Sequence, residues 1–121
     1  MSVSVVILNW NGEKYLNEFL PVLLKNIEDV PGAEVVVADN GSTDGSLQLL
    51  SEKFPTVKVD AFDKNYGFAE GYNKALKNIN TEYYVLLNSD VEVTKGWLST
   101  LYTYMNENPD VAACQPKILS Y

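Results

Sequence analysis

Four short apolar runs, each closing on a cluster of polar turn-forming residues, alternate with segments of helical period along this chain. Val3 to Leu8 is nearly continuous and β-branched, and it breaks at Asn9-Trp10-Asn11-Gly12. Glu34 to Asp39 reads Glu-Val-Val-Val-Ala-Asp and runs into Asn40-Gly41-Ser42-Thr43-Asp44. Val57 to Phe62 alternates apolar and polar residues, as an edge-like strand does, before Asp63 and Asn65-Tyr66-Gly67. Glu82 to Leu87 ends in Asn88-Ser89-Asp90. Runs this apolar suit strands buried on both faces, which is the habit of parallel sheets.

The intervening segments carry the other period. From Glu13 to Ile27, Leu16, Phe19, Leu20, Leu23, Leu24 and Ile27 share one helical face, and Pro21 predicts a kink or break near Phe19-Leu20. Ser42 or Thr43 is positioned to cap a helix from about Asp44 to Lys53, with Leu47, Leu50 and Phe54 facing inward. A third helix is expected over Phe68 to Asn78. Thr94 is the expected cap of a fourth over Lys95 to Asn106, with Trp97, Leu98, Leu101 and Met105 in the core. Val111 to Cys114 reads as a fifth strand, with a further extended piece through Ile118. The chain is therefore expected to be one α/β domain over residues 1–121, a Rossmann-like, mostly parallel sheet with helices on both faces.

Charge and cysteine content narrow the partners. The net charge is −7, so neither nucleic acid nor an anionic membrane is expected as the main partner, because phosphate contacts need clustered Lys and Arg. The single Cys114 excludes an internal disulfide and a cysteine-rich zinc site, and it fits a reducing compartment. The amino terminus lacks the pattern of a signal peptide. The expected location is cytoplasmic, at the inner face of the membrane in a longer parent.

Ligands of open α/β sheets bind outside the carboxyl ends of the strands. The polar clusters all follow strands, so they converge on one edge. Asp39 is placed to accept from a base imide or from ribose hydroxyls, and equally to close its own Asp-Asn-Gly-Ser turn. Asp44 reads as support for the next helix start. Asn88 and Asp90 offer a carboxylate and an amide oxygen two residues apart, the hard oxygen donors that Mg²⁺ or Mn²⁺ takes together with substrate phosphates. The bland reading of the same residues is an Asx turn. Asn65 and Gly67, with Asn73, are placed to line a cleft, and Gly67 permits close backbone approach. Trp10 and Tyr66 read first as packing residues and second as stacking platforms.

Taken together, Val-Ser-Val-Val-Ile-Leu-Asn-Trp-Asn, Val-Val-Val-Ala-Asp-Asn-Gly-Ser-Thr-Asp-Gly-Ser, Asn-Tyr-Gly-Phe-Ala-Glu-Gly-Tyr-Asn and Tyr-Val-Leu-Leu-Asn-Ser-Asp-Val resemble family 2 glycosyltransferases in order and spacing. The flavour is closest to rhamnosyltransferase-like enzymes of cell-surface polysaccharides. The resemblance implies the GT-A fold in truncated form and a site for a nucleoside-diphosphate sugar. In that site Asn9 and Asn11 flank the base, Asp39 contacts base or ribose, and Asn65, Gly67 and Ser89 line the donor. Asp90 becomes the principal metal carboxylate, while Asn88 stands where the family often carries a first Asp. The resemblance further implies inverting transfer to an acceptor hydroxyl on a polysaccharide or lipid-linked acceptor, with the general base beyond Tyr121. A donor-binding part of this kind exposes apolar surface that favours a homodimer. Two other sheet proteins, a dehydrogenase and a phosphoacceptor signalling domain, fit poorly. No Gly-X-Gly-X-X-Gly follows the first strand, as a dinucleotide dehydrogenase requires, and no acidic pair stands there for a phosphoacceptor domain. The alternative that keeps the fold is a binding module without transfer activity.

Overall fold

The computed structural model describes residues 2–117 and 119. Strands and helices alternate as β1 (Val3–Asn9), α1 (Glu13–Lys25), β2 (Ala33–Asp39), α2 (Ser46–Lys53), β3 (Lys58–Ala61), α3 (Phe68–Leu76), β4 (Tyr83–Leu87) and α4 (Trp97–Glu107). The strands form one sheet in the order β3-β2-β1-β4, and every pairing is parallel. β1 and β2 are the inner strands, which explains why their sequences are the most uniformly apolar.

Helices cover both faces. On one, Val3, Val5, Ile7, Val35 and Val37 pack with Leu16, Leu20 and Leu23 of α1, Leu50 of α2 and Leu98 of α4. On the other, Val6 and Ala38 pack with Tyr72 and Ala75 of α3. Each fully buried leucine is worth about 2–3 kcal/mol of removal from water, so the larger face carries most of the stability. At the β4 edge, Tyr84 and Leu86 lie on the α3 side and stay half exposed. No described helix is long and apolar enough to cross a membrane.

Several expectations need correction. α1 runs unbroken through Pro21. Pro21 and Asn17, whose carbonyl loses a partner, are both exposed, and Leu16, Leu20 and Leu23 anchor the helix on its other side. α2 begins at Ser46 rather than Asp44, and Leu47 is exposed. Ser42 does not cap it, because its hydroxyl is turned back to Asp39. α4 starts after Gly96, which has φ 78°, and not from a Thr94 side-chain cap. In β3, Val59 and Ala61 are exposed, since no strand or helix covers that margin of the sheet. The fifth strand is absent: residues 111–117 have no regular structure. Val-Ala-Ala-Cys has only one β-branched side chain, and Ala112 to Cys114 are exposed, so nothing drives pairing. The extended piece expected through Ile118 falls on a residue outside those described.

Candidate functional site

All four strands point the same way, so their carboxyl ends share one edge. Asn9 and Asp39 are direct register partners there, and Ile7 pairs with Leu87, which brings Asn88 and Ser89 level with the end of β1. A side chain on Gly12 would run into Asn9 Oδ1 and lie 3.2 Å from Ser89 Oγ, so the ends of β1 and β4 meet across this glycine. Asp39 and the Asn88–Asp90 loop thus flank β1 on either side, two strand spacings or about 10 Å apart.

Asp39 sits inside the edge, 1% exposed. Its Oδ1 accepts from Asn9 Nδ2 at 3.0 Å and from Ser42 Oγ at 2.7 Å, and its Oδ2 accepts from Ser42 N at 3.0 Å. The turn-closing role is therefore real. A carboxylate has about four acceptor lobes, so Asp39 keeps about one. Asn9 is fully buried beside it, and its Oδ1 has no hydrogen-bond partner.

Asn11 holds the β1–α1 loop to the β2–α2 loop. Its backbone has φ 51°, an uncommon value that asparagine tolerates. Its Oδ1 accepts from Thr43 N at 2.7 Å and Asp44 N at 3.2 Å, while its own N donates to Ser42 Oγ at 2.9 Å. The starts of α1 and α2 then cap each other. Asp44 Oδ2 accepts from Glu13 N, Asp44 Oδ1 accepts from Ser46 N and Oγ, and Glu13 Oε1 accepts from Gly45 N. Slight burial pushes the Asp44 carboxyl up, but the hydrogen bonds from Ser46 and Glu13 together hold it below the usual aspartate range. A depressed carboxylate stabilises the fold above its unfolded pKa and loses that contribution as pH falls through the folded one. Asp44→Asn is therefore expected to be less acid-sensitive than the parent: urea midpoints measured at about pH 5 and about pH 3 differ less in the variant.

The third wall is the β3–α3 loop. Gly67 has φ 81° and ψ −176°, and its N donates to Asn65 Oδ1 at 2.7 Å. Tyr66 is half-buried, hydrogen-bonded through its hydroxyl to Asp63, with the Lys74 ammonium 4.5 Å from its ring centre. That hydrogen bond holds the Asp63 carboxyl below its usual range and raises the Tyr66 phenol. Trp10 is 56% exposed at the end of β1, so the packing expectation fails for it and its ring is open to a planar ligand.

Asn88 and Asp90 are both exposed. Among the described residues no three Asp, Glu, His or Cys side chains cluster as a metal cage. One carboxylate and one amide oxygen on an open loop fit a Mg²⁺ or Mn²⁺ ion that takes its other ligands from water and phosphate, the habit of such ions. The sequence offers Ser42 as a helix cap rather than as a partner of Asp39 and Asn11, and it gives no sign of the roles of Glu13 and Asn40. Ser42 and Asn40 lie within turn chemistry that hides their longer-range partners.

The model of the glycosyl transferase family 2 matches residues 4–119. The chain belongs to this family. Staphylococcus aureus TarS, a poly(ribitol-phosphate) β-N-acetylglucosaminyltransferase, is 34% identical over 89% of the chain, which covers 19% of TarS. Abequosyltransferase RfbV of Salmonella typhimurium is 25% identical over 97% of the chain and 36% of its own length. The family 2 domain overlays the structure of TarS 1–349 in complex with UDP-GlcNAc at TM-score 0.78 and 32% identity, over 90% of this chain and 32% of that one. It also shares its fold with mannosyltransferase PcManGT from Pyrobaculum calidifontis, in complex with GDP-Man and Mn²⁺, at TM-score 0.73 and 23% identity over 85% of this chain and 32% of that one. The GT-A fold and the family expected from the sequence are thus shown, and the family 2 domain spans about a fifth to a third of these relatives.

Proposed function

We propose that this domain binds a nucleoside-diphosphate sugar, with a uridine diphosphate sugar as the first candidate, and presents it for inverting transfer to a hydroxyl acceptor in cell-surface polysaccharide synthesis. The observation that carries this reading is the shared sheet edge. Asn9 and Asp39 close one side of β1, and Ser89 reaches its other side beside Asn88 and Asp90. Asn9 and Asp39 form the floor of the nucleoside end, with the remaining acceptor lobe of Asp39 available to a base or ribose. Asn11 and exposed Trp10 form its rim. Asn65 and Gly67 line the flank. Ser89, Asn88 and Asp90 take the diphosphate end, where Asp90 and Asn88 would hold a divalent ion. Such an ion neutralises charge on a departing diphosphate. TarS, whose structures include UDP and UDP-GlcNAc complexes, supports the uridine choice.

In the transfer, the acceptor oxygen bonds to the anomeric carbon as the carbon–oxygen bond to the diphosphate breaks. The hydroxyl proton passes to a general base. That base and the acceptor site are assigned to the part of the relatives beyond the matched segment, at the cytoplasmic face of the membrane.

Calorimetry with uridine diphosphate, with and without Mn²⁺, tests the reading. Binding is expected to need the ion. Asp90→Ala is expected to weaken binding about tenfold and to leave the melting temperature unchanged, because the residue is exposed. Absence of binding by uridine, thymidine and guanosine diphosphates alike would favour an inert module instead.

A further inference from the structure

We infer that Asn40 is the positioning residue that sets the conformation of the Asn65–Gly67 loop and so shapes the flank of the donor cleft. This rests on the donor-site reading above. Asn40 is the first residue after β2, and it is 3% exposed. Its backbone N donates to Asn9 O at 2.7 Å, which ties it to the end of β1. Its side chain does the rest. Oδ1 accepts from Tyr66 N at 2.9 Å, and Nδ2 donates to Asn65 Oδ1 at 3.1 Å and to Gly67 O at 3.0 Å. One buried carboxamide therefore holds three successive residues of a loop that lies 25 to 27 positions away.

The glycines around it show which groups set this arrangement. Nothing lies within 4 Å of where a Gly67 side chain would stand, so glycine is favoured there by its φ of 81° and not by lack of space. The structure adds a pair of hydrogen bonds, Gly67 N to Asn65 Oδ1 and Asn40 Nδ2 to Gly67 O. Gly71 makes room for the amide: a side chain there would stand 3.1 Å from Asn40 Nδ2 and 3.0 Å from both Leu8 methyls. The fold has cleared a space that a carboxamide fills.

Only a carboxamide offers one acceptor and two donors in this geometry. An aspartate keeps the acceptor for Tyr66 N but turns an acceptor onto Asn65 Oδ1 and Gly67 O. Buried as it is, Asn40 acts on a donor through Asn65 and Gly67.

The test combines amide hydrogen exchange with calorimetry of uridine diphosphate and Mn²⁺. Asn40→Ala is expected to cost the Tyr66 amide about tenfold or more in protection, with the amides of Val6 and Val37 unchanged. Nucleotide affinity is expected to fall about tenfold, as misplacement of a binding group does. Asn40→Asp is expected to keep the Tyr66 protection and still lose the affinity. Because Asn40 works through Asn65, the Asn40→Ala/Asn65→Ala pair is expected to bind no worse than the weaker single variant. If Asn40→Ala does not fold, Asn65→Ala, on an exposed residue, is expected to reproduce the affinity loss. An unchanged Tyr66 amide in Asn40→Ala, multiplying losses in the pair, or full affinity in Asn65→Ala would overturn the inference. Should the parent bind no nucleotide, the donor reading fails, and Tyr66 exchange alone decides whether Asn40 sets the loop.

Discussion

Asp39→Ala is expected to lower the stability of the domain by about 3–4 kcal/mol, a large part of the 5–15 kcal/mol that a domain typically has. The carboxylate is buried and accepts three hydrogen bonds, from Asn9 Nδ2, Ser42 N and Ser42 Oγ. Alanine leaves Asn9 Nδ2 with only its longer bond to Ser42 Oγ at 3.3 Å and removes the acceptor of the half-buried Ser42 amide and hydroxyl. Each buried group left unsatisfied costs about 1–3 kcal/mol, which exceeds the net worth of the bond itself. The loss spreads to function. Ser42 Oγ also accepts from Asn11 N, so the β1–α1 loop loosens together with the β2–α2 loop. Asp39→Asn keeps one acceptor and the same shape, and it is expected to lose about half as much. Urea denaturation followed by tryptophan fluorescence checks both. A midpoint for Asp39→Ala equal to that of the parent would mean the carboxylate does not close this turn.

Gly41→Ala is the second large effect, at about 2–5 kcal/mol. Gly41 has φ 77°, and a side chain there would stand 2.5 Å from Lys64 C, 2.7 Å from Asn65 N and 2.8 Å from Lys64 Cα. All three atoms are backbone, so no rotamer change relieves the clash. The left-handed conformation costs about 1–2 kcal/mol, and forced overpacking adds about 1–3 kcal/mol. Gly67→Ala is the control. It shares the positive φ but meets no atom within 4 Å, so only the backbone cost of about 1–3 kcal/mol applies. Thermal denaturation of the two variants is expected to rank Gly41→Ala well below Gly67→Ala. The reverse order would show that the β2–α2 and β3–α3 loops do not touch as described. Gly41→Ala also pushes on the backbone at Asn65, so it is expected to weaken nucleotide binding where Gly67→Ala retains more of it.

Much of the architecture was legible because its signals are local. β-branched runs at Val3–Leu8 and Glu34–Asp39 required strands, and the spacing of Leu16, Leu20 and Leu23 required a helix on one face. The parallel sheet followed from alternation, and convergence of the loops on one edge followed from parallel strands. The failures also have local causes. Pro21 suggested a break, but a helix held by three buried leucines tolerates one missing bond on its exposed side. Val111 to Cys114 looked like a strand because it is apolar, yet it joins no sheet. Thr94 looked like a cap, whereas the chain enters α4 through the left-handed Gly96.

The site divides in the same way. Asn9, Asp39, Ser89 and Asp90 were identifiable because turn-forming polar residues after parallel strands must gather at one edge. The sequence by itself determined the order of the eight elements, the family and which loops gather at the carboxyl edge of the sheet, since periodicity and turn chemistry act over a few neighbouring residues. Only the tertiary structure decided that Asp39 is bonded inward, that Asn11 and Asp44 join two helix starts, and that Asn40 bonds to a distant loop. Those partners lie about 25 to 33 residues apart, and their pairing depends on strand register and on ångström-scale approach between loops, which no local pattern encodes.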